Sequence, residues 1–193
     1  IAVNKKNMNM THKAEKMLIS LTKTYVDKHL LITALGDFYR EDKQYKKAIR
    51  HYSNAINLNK IDNKQSWRIL YMRGICFERT DQWERAEKDF LEALKINPTM
   101  PQVLNYLAYE WIERNTRINR SLEMLKTAVQ KDPDNYYILD SLAWAYYKKK
   151  DLSKAVKIME DVITKAPGEA ISLDHLGDIY FSLGRRREAY FMW

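Results

Sequence analysis

The chain has 193 residues, 46% of them hydrophobic, and a formal net charge of +8. This is enough apolar material for a folded body and excludes a disordered chain. Glycine (5) and proline (4) are scarce while tyrosine (13), methionine (8) and tryptophan (5) are plentiful, which disfavours loop-rich β folds and favours packed helices. The single cysteine, Cys76, excludes an intramolecular disulfide, and no apolar run approaches the roughly 18 residues that span a bilayer.

Two sets of residues recur along the chain. In the first set a small residue is followed three positions later by an aromatic one: Gly36–Tyr39, Gly74–Phe77, Ala108–Trp111, Ala143–Tyr146 and Gly177–Tyr180. In the second set a small residue is followed four positions later by a large apolar one: Ala48–Tyr52, Ala86–Phe90, Ser121–Leu125, Ala155–Met159 and Ala189–Trp193. Spacings of three and four lie on one helix face, so each unit is predicted to be two amphipathic helices with small residues where they touch.

The first predicted element lies in the N-terminal segment, residues 1–28. Ala14, Leu18 and Leu21 have the spacing of a second helix. Residues near 12–28 are therefore predicted to form the last helix of a preceding repeat whose first half is missing. Since the chain begins with isoleucine and not methionine, we expect it to be a processed piece.

Repeat 1 is predicted at 29–62, with a polar turn at 41–44 between its two helices. Its second helix lacks a terminating proline, because Lys60 stands in the place where the later repeats have one. Four extra residues, 63–66, follow as a predicted linker. This junction, from Asn59 to Ser66, is the predicted bend or loose joint of the chain.

Three further repeats and a partial fifth follow. They are predicted at 67–100, 101–135, 136–169 and 170–193. Short polar turns separate the helices at Thr80–Gln82, Lys149–Asp151 and Leu183–Arg185. Proline ends the second helices at Asn97-Pro98, Asp132-Pro133 and Ala166-Pro167, because it cannot donate a backbone hydrogen bond and restricts the residue before it.

These residues resemble tetratricopeptide repeats, whose period is 34 residues and whose signature contains these small, aromatic, alanine and proline positions. The resemblance covers about residues 14–193 and implies an all-α fold, a right-handed α-solenoid of helix-turn-helix repeats. The chain departs from the usual pattern at Arg73, where a leucine is usual, and at Ser121, which replaces an alanine.

The later repeats are similar to those of bacterial tetratricopeptide proteins, many of them exported or envelope-associated. The residues that carry this similarity are Leu104–Tyr109, Asp140–Trp144, His175–Tyr180 and Gly184–Arg187. The similarity implies a bacterial source and favours the envelope or periplasm over the cytoplasm. Because a repeat stack normally ends in a polar capping helix, the incomplete repeats predict a section of a longer solenoid.

In this family the first helices of successive repeats line a concave groove, which implies a surface that holds a peptide or a partner domain. Aromatic rings supply contact area there and polar groups fix the register. The candidate groove residues are Tyr71, Glu78, Asn105, Tyr109, Tyr137, Asp140, Trp144, Tyr147, Asp174 and Asp178. Trp144, Tyr147 and Asp140, three or four positions apart on one helical face, are the preferred hot spot.

Other interpretations of these surfaces stay open. Any one of the tyrosines can equally serve packing between repeats. The chain can instead be architectural, associating with itself or with further repeats through its ends. A net charge of +8 invites nucleic-acid binding, but the basic runs Lys148–Lys150 and Arg185–Arg187 lie at turns between helices and the charge is dispersed, which disfavours that function.

The sequence does not predict an enzyme, a cofactor site or a metal site. It lacks a glycine-rich phosphate loop, a nucleophile motif and a zinc-binding helix pair. Asp174 and His175 are neighbours in sequence and so point in different directions on a helix, which favours a satisfied surface or interface histidine over a general base. Cys76 lies in an apolar stretch and is predicted to be a packing residue. The predicted function is an adaptor or scaffold for a protein partner.

Overall fold

A computed structural model describes residues 28–58 and 63–193, together with single helical residues at 13, 16, 17 and 20. Every regular element in these ranges is an α-helix, and there are ten of them. The helix predicted near 12–28 lies almost entirely outside the described residues. The chain divides into two compact units, Ile1–Pro98 and Thr99–Trp193, called here the N-terminal and the C-terminal unit.

The described part of the N-terminal unit is two helical hairpins. Its helices are α1 (Lys28–Glu41), α2 (Tyr45–Asn57), α3 (Asn63–Glu78) and α4 (Trp83–Ile96). Helix α1 packs on α2, α3 packs on α4, and α2 packs on α3. The residues predicted as a linker, 63–66, are the first turn of α3, because neither proline nor glycine stands before Trp67 to prevent the helix from starting early.

The C-terminal unit continues the same pattern with three hairpins. Its helices are α5 (Pro101–Glu113), α6 (Ile118–Lys131), α7 (Tyr136–Lys148), α8 (Leu152–Lys165), α9 (Ala170–Ser182) and α10 (Arg186–Met192). The first helices α5, α7 and α9 also contact one another in succession, so they form one continuous face. Over the described ranges, none of the ten helices combines the length and the apolarity needed to cross a bilayer.

The five hairpin turns share one backbone hydrogen bond. Each turn contains a residue in the left-handed region: Lys43, Asp81, Asn115, Lys150 and Gly184. The next amide donates to the carbonyl of the recurring aromatic residue, with N–O distances of 2.8–3.0 Å. The five donors are Gln44, Gln82, Thr116, Asp151 and Arg185. This bond satisfies a free carbonyl at the end of each first helix and sets the direction in which the second helix leaves.

Small residues meet large ones across the helices of a hairpin, as the repeat pattern predicts. A Cβ atom added to Gly36 would lie 2.5 Å from the Tyr52 ring, and one added to Gly74 would lie 2.6 Å from the Phe90 ring. Gly177 meets the indole of Trp193 in the same way. Two repeats carry alanine, Ala108 or Ala143, in place of this glycine. The matching residue of their second helix is Leu125 or Met159, each smaller than the rings that face the glycines, and Met159 shares a core cluster with Ala143.

The close approach of Gly74 to Phe90 predicts the sign of one substitution. Alanine is favoured over glycine within a helix by about 1 kcal/mol, but an overpacked core costs about 1–3 kcal/mol. We therefore expect Gly74→Ala to lower the free energy of unfolding in urea. Gly168→Ala is the control, because its added Cβ meets no atom within 4 Å. This variant should have the same free energy of unfolding as the parent chain or a higher one.

A second variant tests the cause of this loss. Adding Phe90→Leu to Gly74→Ala reproduces the alanine and leucine that repeat 3 carries at these places. It removes the ring that the new methyl group would meet, so we expect it to restore part of the stability. If Gly74→Ala alone is as stable as the parent chain, the two helices do not approach as closely as described.

Candidate functional site

The ten predicted groove residues fall in both units. Tyr71 and Glu78 lie on α3 of the N-terminal unit, and the other eight lie on α5, α7 and α9 of the C-terminal unit. Each set is therefore described within its own unit. The C-terminal set is the larger one, and it occupies the continuous face that the three first helices form.

Four predicted residues line a recess of about 180 Å³ in the C-terminal unit: Asn105, Tyr109, Tyr137 and Asp140. The remaining wall consists of Ser141, Glu169, Ile171 and Ser172. Tyr137 and Ile171 are 56% and 58% exposed, although both are large and apolar. Exposed rings and aliphatic side chains beside a few polar groups are the usual make-up of a surface that binds a peptide.

The preferred hot spot contains two buried residues. Trp144 is 6% exposed and Asp140 is 7% exposed. The Trp144 ring stacks on His175 at a centroid distance of 4.0 Å and on Tyr147 at 4.6 Å, while its indole N–H donates to Glu113 at 2.6 Å. Trp144 thus lies beneath the groove surface, whereas the largely buried Asp140 forms part of the recess wall.

His175 is a functional candidate that the sequence reasoning did not connect with the site. It is 6% exposed, and its Nδ1 lies 3.1 Å from Oδ2 and 3.3 Å from Oδ1 of Asp140. The separation of 35 residues is one more than the 34 between Ala143 and Gly177, so Asp174 is the residue of α9 that matches Asp140, and His175 is the next residue. A histidine directly after that matching position was the available signal.

The outer part of the same face carries Tyr147, Asp174 and Asp178. Tyr147 is half-buried, and its hydroxyl accepts a hydrogen bond from Ser182 at 3.3 Å. Asp174 is exposed, and Asp178 is half-buried one turn further along α9. Burial, and next the Asp174 carboxylate, raise the pKa of Asp178 above its ordinary value, because both disfavour its charged form.

Tyr71 and Glu78 contribute differently in the N-terminal unit. Tyr71 is half-buried and its ring lies 6.0 Å from that of Phe90. Burial raises its pKa to about 12. Glu78 is half-buried and forms an ion pair with Arg79 at 3.4 Å. Tyr71 thus agrees with the packing alternative that the sequence left open.

Arg73, which departs from the usual leucine, has a partner that sequence reasoning missed. Its guanidinium binds both carboxylate oxygens of Asp89, at 2.7 and 2.8 Å, and donates to the Ser53 hydroxyl at 3.0 Å. Asp89 is 4% exposed. A charged residue at a core position was the signal, because it requires a buried partner of opposite charge.

The described residues contain neither a candidate metal cluster nor an activated thiol. No group of three or more histidine, cysteine, aspartate or glutamate side chains in the described ranges could hold a metal ion. Cys76 is fully buried, and burial raises the pKa of its thiol to about 12. The thiol is therefore protonated at neutral pH and is a weak nucleophile.

Comparison with known protein families agrees with this geometry. Models described as tetratricopeptide repeat match residues 31–66, 67–100 and 114–173. The chain belongs to the tetratricopeptide repeat family. Its predicted fold class, all-α tetratricopeptide hairpins of the α-solenoid class, is confirmed. As a member of this family the chain is, in general terms, a protein-interaction scaffold.

The curated relatives are much longer than this chain. TPR repeat-containing protein PA4667 from Pseudomonas aeruginosa is 28% identical over 110 residues, which are 57% of this chain and 18% of the relative. BBSome complex member BBS4 from Bos taurus is 26% identical over 125 residues, 64% of this chain and 23% of the relative. The chain thus spans about a fifth of the length of these relatives.

Solved structures share the fold. A tetratricopeptide repeat protein from Parabacteroides merdae matches with a TM-score of 0.79 at 16% identity, covering 98% of this chain and 73% of that one. MamA from Desulfovibrio magneticus matches with a TM-score of 0.73 at 20% identity, covering 86% of this chain and 91% of that one. At these identities the likeness concerns the fold alone.

Proposed function

We propose that the chain is an adaptor that holds a peptide segment or a small part of a partner domain in the recess of the C-terminal unit. The observation that carries this proposal is the recess itself, where the exposed side chains of Tyr137 and Ile171 stand beside Asn105 and Glu169. Large apolar side chains that are exposed in the free protein commonly mark a surface that a partner covers on binding. The polar groups beside them supply register.

The buried stack beneath the recess supports this function. Asp140 lines the recess and is held by His175, and His175 in turn is stacked on Trp144. A wall whose side chains are already fixed by packing loses little conformational entropy when a guest binds. The recess is therefore a preorganised surface.

A second candidate function rests on a different surface. Tyr190 and Phe191 of helix α10 and Trp193, which follows the helix, are 77%, 67% and 60% exposed. These rings favour an architectural role in which this end associates with a second copy or with further repeats. Light scattering separates the two functions: substitutions in the recess should leave any self-association unchanged, whereas Phe191→Ser should abolish it.

Selection of ligands from a display library of random 12-residue peptides tests the proposed function. For peptides that bind, we expect Tyr137→Ala with Ile171→Ser to weaken the dissociation constant about tenfold or more, which corresponds to roughly 1.4 kcal/mol. Fluorescence anisotropy of labelled peptides measures the affinity. Because both side chains are exposed, the free energy of unfolding should change by no more than about 0.5 kcal/mol.

Tyr190→Ala is the control, since it removes another exposed tyrosine, 77% exposed against 56% for Tyr137, from a helix outside the recess. It should leave peptide affinity unchanged. The proposal is wrong if selected peptides bind the double variant as tightly as the parent chain.

The envelope-side location expected from the later repeats stays a prediction, which fractionation of the source cells would test.

A further inference from the structure

Charge is unevenly distributed between the two kinds of helix in the C-terminal unit. The first helices α5, α7 and α9 carry five carboxylates and a single lysine, Lys148. The second helices α6, α8 and α10 carry eight lysine or arginine residues and four carboxylates. On a chain of net charge +8, the face that contains the recess is therefore acidic.

Several polar groups on this face lack a partner. Among the described residues, the carboxylates of Glu169, Asp174 and Asp178 make neither a hydrogen bond nor an ion pair within 4 Å. His175 and Lys148 act to lower the pKa of Asp178, but burial and the Asp174 carboxylate raise it more. Glu169 lines the recess, and Asp174 follows Ile171 of the recess wall one turn along α9. The buried amide oxygen of Asn105, also in the recess, likewise has no hydrogen-bond donor within the described ranges. A guest that brings cations would pair with the exposed carboxylates.

We propose that the recess takes a segment of a partner protein that carries lysine or arginine, with a cation beside Asp174 and Asp178, which are one turn apart on α9. This inference rests on the proposed function, and it names the chemistry of the guest. The aliphatic stem of a lysine or arginine packs on apolar side chains such as Tyr137 and Ile171, and its charged end reaches the carboxylates. The exposed tyrosine ring adds cation–π attraction.

The same charges disfavour the other guests that a tetratricopeptide groove could take. An acidic peptide would place its carboxylates against those of Asp174 and Asp178, which already repel one another. A nucleic acid would bring phosphates to the same face. A basic segment relieves this repulsion, so charge complementarity selects it.

The test uses peptides selected on the full 193-residue chain from the random 12-residue library. We expect the selected peptides to be enriched in lysine or arginine, and replacement of these residues by glutamine should abolish most of the affinity. Asp174→Asn with Asp178→Asn should weaken the dissociation constant of a selected peptide about fivefold or more. Raising the salt concentration should reduce the difference in dissociation constant between this variant and the parent chain.

A charge-matched control separates local contact from net charge. Glu123→Gln with Asp161→Asn makes the same change in charge on the second helices α6 and α8. It should alter the affinity less than about twofold. An equal loss in both double variants would mean that only the overall charge matters, and the proposed contact would be wrong.

The remaining outcomes distinguish this inference from the function on which it rests. Neutral or acidic peptides that require Tyr137 and Ile171 would overturn the basic guest and leave the peptide-binding function standing. Peptides whose affinity does not depend on Tyr137 and Ile171 would overturn both the basic guest and the peptide-binding function. If the chain forms dimers that Asp174→Asn with Asp178→Asn dissociates, the occupant is a second copy and the partner segment proposed here is wrong.

Discussion

Replacing Arg73 by leucine is expected to destabilise the N-terminal unit by about 3–5 kcal/mol, even though leucine is the usual residue at this place in the family. Arg73 binds both oxygens of Asp89, and Asp89 is 4% exposed. Leucine would leave that carboxylate buried without a counter-ion. Urea unfolding followed by circular dichroism measures the loss, and hydrogen exchange of the α3 and α4 amides should place it in this hairpin.

The double variant Arg73→Leu with Asp89→Leu shows why the loss occurs. Apolar residues of suitable volume can replace a buried ion pair at little or no cost. We expect the double variant to recover to within about 1 kcal/mol of the parent chain or to exceed it. A double variant that is less stable than Arg73→Leu alone would contradict this account, because the stabilisation would then not depend on the pairing of the two charges.

The hairpins could be predicted from the sequence because their cause is local and repeated. Small residues such as Gly36 and Gly74 stand where Tyr52 and Phe90 need room, and the breaks before Pro98, Pro133 and Pro167 follow from the lost backbone donor. The start of α3 was missed for the opposite reason. Nothing in residues 59–66 forces a helix to begin or to stop at one position, so the helix extends to Asn63.

The candidate site was only partly predictable. Helical spacing identifies the residues that share a face, and four of them do line one recess. Spacing does not say how deep a side chain lies, because the depth depends on the rings that its own helix and the next repeat place against it. Trp144 is covered by His175 and Tyr147, while Tyr137 on the same helix is 56% exposed. Polar pairs such as Asp140 and His175 need the packing of two repeats to meet.

Trp144→Ala is expected to destabilise the C-terminal unit by about 3–5 kcal/mol, the usual cost of removing a buried tryptophan. The indole is 6% exposed and stacked on two rings, with its N–H bonded to Glu113. Its loss leaves a cavity between α7 and α9, removes ring–ring attraction and frees His175 to move. Urea unfolding measures the change, with Tyr137→Ala as the exposed aromatic control on the same helix.

Two readouts separate this structural role from the hot spot that the sequence predicted. Trp144→Phe keeps a ring between His175 and Tyr147 but lacks the N–H, and the Glu113 carboxylate that loses it is exposed to water. The phenylalanine variant should therefore recover most of the stability lost in Trp144→Ala, and it should bind recess peptides nearly as well as the parent chain. If Trp144→Ala instead unfolds like the parent chain but loses peptide binding tenfold or more, the indole contacts the guest directly. Trp144 would then belong to the binding surface of the groove and not only to the packing beneath it.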